Sequence, residues 1–99
     1  MSWRAIHGAI ERRDPAALAG AMTPRNVHDV PQTWLGVALC EFSVLDLKHV
    51  YRWAEDWLSD RNNHALRARG DSRWHAMDAV YLMARTALCA IGADMTTET

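Results

Sequence analysis

SRWHAMDAVYLMARTALCAIG, residues 72–92, is the stretch on which the reading of the fold turns. Met77, Val80, Tyr81, Ala84, Leu88 and Ile91 recur at helical spacing, and Ala76, Ala79, Met83 and Ala87 widen that face. Only a narrow polar strip remains, made of His75, Asp78, Arg85 and Thr86. A helix apolar over most of its circumference has to be covered by several neighbours, so this one is expected at the centre of the molecule. Asp71 or Ser72 supplies its N-cap, and Gly92 suits the left-handed residue that ends a helix.

Upstream, Leu47, Val50, Tyr51, Ala54, Trp57 and Leu58 make one continuous apolar face. Ser43 followed by Asp46 starts that helix. Leu35, Ala38, Leu39 and Phe42 form the inner stripe of a helix predicted over about 31–42, entered through Asp29, Pro31 and Gln32 as cap, early proline and capping-box partner. Ser2 is a cap for a first helix over about 3–13, and Asp14-Pro15 restarts the chain into a short helix reaching about Met22. No alternating stretch is long enough to predict a strand. The fold class is therefore all-α: a small four- or five-helix bundle packed around the C-terminal helix. Residues 1–93 form a single helical domain, and 94–99 are expected to be a flexible tail.

The first helix pair and the closing Gly92-Ala93-Asp94 resemble the helix–loop–helix of ankyrin repeats. The Thr-Pro-Leu-His turn of that family is missing, however, and the spacing between units is uneven, so nothing further is drawn from the resemblance.

Composition narrows the function classes. The chain has 99 residues and a formal charge of −1, so it carries no overall field toward nucleic acid or membrane, and too little negative charge for a mimic of DNA. No run approaches the ~18 apolar residues of a membrane span, and the N-terminus lacks the apolar core of a signal peptide. The expected location is cytoplasmic, with Cys40 and Cys89 as two buried, reduced thiols. Ten of the eleven basic residues are arginine, a usage that suggests a GC-rich bacterial or phage genome.

No motif for catalysis, metal or cofactor emerges. The five histidines form no metal-ligating pair, and the five glycines are isolated rather than gathered in a phosphate loop. His75 and Asp78, one turn apart, could act as an oriented base, but no serine or cysteine nucleophile stands near them in sequence.

The features left over favour binding. Arg61, Asn62, His64, Arg67, Arg69 and Arg73 crowd into the polar stretch Asp60–Arg73, which is expected to be a loop with one helical turn near 65–69. Five tryptophans in so short a chain are a second surplus. Most are expected in the core, whereas Trp53 lies roughly 100° of arc off its helix's apolar centre. Arginine forks onto carboxylate or phosphate, and tryptophan anchors interfaces. Trp53, Arg61, Asn62, His64, Arg67, Arg69 and Arg73 are thus the expected partner-binding residues of a small adaptor, regulator or inhibitor. The expected partner is another protein. Nucleic acid through the Arg61–Arg73 segment and self-association stay open; a membrane partner is not expected. Small phage or mobile-element proteins that block a host or defence complex, anti-CRISPR proteins among them, share this profile. The rivals are a helix-turn-helix DNA-binding regulator and a small helical enzyme using His75 and Asp78.

Overall fold

The computed structural model describes residues 2–24 and 26–93; the expected tail over 94–99 lies outside them. The described residues form helices and connecting turns, with no strand: α1 Ser2–Glu11, α2 Pro15–Ala21, α3 Pro31–Cys40, α4 Val44–Ser59, α5 Arg61–Ala68 and α6 Ser72–Ala90. α6 is the hub. α4 lies along it, α2 and α3 cover its other side, and α5 spans the end where α4 meets α6. α1 packs on α2 and α3 and closes the bundle. The core is aliphatic: Ile6, Ile10, Leu18, Leu35, Val50, Met77, Val80 and Leu88 are its largest fully buried side chains.

Most boundaries follow local chemistry. Asp14, Ser43 and Asp71 cap α2, α4 and α6, their side chains accepting from the backbone N–H of Ala17, Asp46 and Arg73. Gly92, at φ 68°, ends α6 with Ala93 N donating to Leu88 O. α1 ends in the same way, but its left-handed residue is Arg13, at φ 55°. That side chain donates to Ile10 O and lies 5.4 Å from the centre of the Trp53 ring, so it ties the α1–α2 corner to α4.

Five expectations are corrected. The segment after Asp60 is a full helix, which brings the bundle to six helices among the described residues. Asp60 ends α4 and caps α5 in one residue, accepting from Asn62 N, while Asn63 Nδ2 donates back to Trp57 O at 2.9 Å. The two asparagines that read as loop punctuation thus lie inside the first turn of α5, Asn62 giving its backbone N–H to the cap and Asn63 clamping the end of α4. Second, Val30 rather than Asp29 stands at the N-cap of α3; the Asp29 carboxylate accepts from Asn26 N and closes the preceding loop. Third, both thiols are exposed. Each follows a buried leucine, Leu39 or Leu88, and the ~100° turn per residue swings the next side chain outward. Fourth, none of the five tryptophans is fully buried; they ring the edge of the core. Ile91, placed on the apolar face by periodicity, is exposed because α6 has ended by then.

Candidate functional site

α5 contributes one buried side chain, Leu66, and turns the rest of its surface outward. Arg61, Asn62, His64, Arg67 and Arg69 are exposed, and Arg73 is partly covered. The arginines are not equivalent. Arg73 is held by Asp71, with Nε and an Nη each donating at 3.0 Å, and Arg69 approaches the same carboxylate at 3.9 Å. That fork and the Arg73 backbone N–H bring the Asp71 pKa down from 3.8 to about 2. Asp71 therefore neutralises one end of the basic segment and caps α6 in doing so. Arg61 and Arg67 make no ion pair among the described residues.

Arg67 instead lies 6.0 Å from the centre of the Trp74 ring. His64 meets that ring edge-on at 6.1 Å, and Trp57 tilts against it at 6.0 Å. The aromatic anchor beside the basic helix is thus Trp74, backed by Trp57. Trp53, the anchor expected from sequence, stands apart. It lies one turn before Trp57 on α4, and its ring is covered by Arg13 at the α1–α2 corner, 5.4 Å from the guanidinium. What sequence reasoning missed is that Trp74, in the first turn of α6, falls next to α5 because the turn Arg69–Asp71 is short. The Asp71 cap was the available signal for that turn.

Between α4, α5 and α6 opens a cleft of about 350 Å³ lined by Glu55, Leu58, Ser59, Arg67, Trp74, Asp78 and Tyr81. Glu55 Oε2 accepts from the Tyr51 hydroxyl at 3.2 Å, and its other oxygen stands 3.5 Å from Arg52. Tyr51 stacks on Tyr81 at 5.2 Å. Hydrogen bonding with Tyr81 and partial burial push the Tyr51 pKa up to about 12. Asp78 is half-buried and makes no hydrogen bond or ion pair among the described residues.

His75 and Asp78 are joined by no hydrogen bond or ion pair, and they line different grooves. Asp78 lines the α4–α5–α6 cleft, whereas His75 lines a separate groove with Ala19, Met22, Pro24, Pro31 and Ala76. No group of three or more metal-ligating side chains converges among the described residues, and none of their helices is long and apolar enough to cross a membrane. Comparison with known protein families, with characterised proteins and with solved structures finds no match to this chain.

Proposed function

We propose that this protein binds another protein through the outer face of α5 and the adjoining Trp74 ring, acting as an adaptor, regulator or inhibitor. The observation that carries the reading is the make-up of α5: a helix that keeps one side chain in the core and spends the others on an exposed arginine and histidine surface. Arg61 and Arg67 are uncompensated, and Trp74 offers a half-buried indole beside them. Arginine and tryptophan are the side chains that most often dominate interface energies.

A protein suits this surface better than nucleic acid. Glu55, Asp56, Asp60, Asp71 and Asp78 interleave with the arginines, so the face is of mixed sign and offers a phosphate backbone no net positive field. α5, the turn Arg69–Asp71 and α6 have the order of a helix-turn-helix, yet α6 is poorly placed as a recognition helix. Its first turns are committed to Asp71, Trp57 and His64, and its sides to α2, α3 and α4.

The test is capture from the source organism with the wild-type chain, an Arg61→Glu/Arg67→Glu double variant and an Arg4→Glu control. A partner retained by wild type and control but lost by the double variant supports the reading. A partner held equally by all three overturns it. Melting temperatures should match, since exposed charges contribute about 0–1 kcal/mol to folding.

A further inference from the structure

Resting on that reading, we propose that the α4–α5–α6 cleft is the receptor for one cationic side chain of the docked protein, a lysine or arginine. The cleft combines two carboxylates, Glu55 and Asp78, with a single guanidinium, Arg67, so its own charge is negative although it sits under a basic helix. Glu55 already has two neighbours, the Tyr51 hydroxyl and Arg52. Asp78 has none among the described residues, although it is half-buried on the wall. A partly desolvated carboxylate without a donor gains strongly from a charged one, because such hydrogen bonds are about twice as strong as neutral ones. The other walls suit a long aliphatic stem ending in a cation: Leu58 and the rings of Trp74 and Tyr81 line the cleft with apolar surface along which such a stem can lie. At about 350 Å³ the cleft lies at the lower end of the roughly 300–1,000 Å³ of ligand sites, and it admits one side chain rather than a helix.

Arg67 fixes the surroundings of that cation. Its guanidinium lines the same cleft, 6.0 Å from the centre of the Trp74 ring, where it would repel a second positive charge and attract a carboxylate. The partner segment therefore places one basic residue in the cleft and an acidic one beside it.

The experiment titrates the full chain with N-acetyl-lysine methylamide and, separately, with its neutral analogue N-acetyl-norleucine methylamide, reading the Trp74 indole N–H by NMR. Asp78→Asn is the companion variant. It is expected to fold as wild type does, because Asp78 makes no hydrogen bond or ion pair among the described residues, and its melting temperature checks this. Saturable movement of the Trp74 signal by the lysine amide is expected, weakened about tenfold or more in the norleucine analogue and in Asp78→Asn. Equal response to both compounds, no saturable response, or a response indifferent to Asp78→Asn would overturn the cation receptor. Capture separates the two proposals: a partner lost on Arg61→Glu/Arg67→Glu but kept on Asp78→Asn leaves α5 as the docking surface and removes the cation from the cleft. A partner lost on both supports the two together.

Discussion

Replacing Leu66 by alanine should detach α5 while leaving the rest of the bundle folded. Leu66 is α5's one buried side chain, 9% exposed. Leucine-to-alanine changes cost about 2–5 kcal/mol, and the lower end applies here because water can fill the space at the edge of the bundle. The remaining anchors of α5 are weak. The Asp60 cap and the Asn63 bond to Trp57 O contribute about 1 kcal/mol each, and an eight-residue helix is unstable by itself in water. The two together, about 2 kcal/mol, do not offset the ordering of eight residues at about 1–2 kcal/mol each, so α5 opens in the native state. Once it is open, no further loss reaches the other helices, and the fall in melting temperature is capped below about 8–10 °C. Amide exchange followed by NMR distinguishes the outcomes. Backbone amides of residues 64–68 should lose protection, while those of Val80–Leu88 keep most of theirs. Uniform loss of protection across α1, α4 and α6, with α5 still protected, would refute the idea that α5 is held by one side chain.

Leu88→Ala should behave differently, because Leu88 is fully buried at the hub: a global loss of about 2–5 kcal/mol and a fall in melting temperature of about 10–20 °C, measured by denaturation. The Asp71 carboxylate, held near pH 2 by Arg73 against an ordinary 3.8, adds stability that is present above pH 3.8 and is lost as pH falls toward 2; acid titration of Asp71→Asn should lack that component. Cys40 and Cys89 should both react with a thiol reagent in the folded protein, and burial of either would show as labelling that waits for denaturant.

Local sequence specifies every helix but α5, and the hub with them. Caps and periodicity are written in residues three or four apart, and helix formation obeys those near neighbours. Asp14, Ser43, Asp71 and Gly92 therefore mark real ends, and the nearly all-apolar face of residues 76–88 required a central position. Residues 61–68 were harder to read because asparagine and arginine carry no apolar period; α5 depends on Asp60 serving two helices at once, which becomes visible only when α4 ends there. The choice between Trp53 and Trp74 as anchor was beyond local reasoning. Trp53 is close to the basic segment along the chain but faces Arg13, whereas Trp74 is delivered to α5 by a three-residue turn. The cleft is likewise tertiary: Glu55, Arg67 and Asp78 belong to three helices, and only the packing of α4 and α5 on α6 places those charges around one space. The thiols show the same limit: an apolar neighbourhood in sequence predicts burial, but which side of a helix meets the core depends on where its neighbours lie.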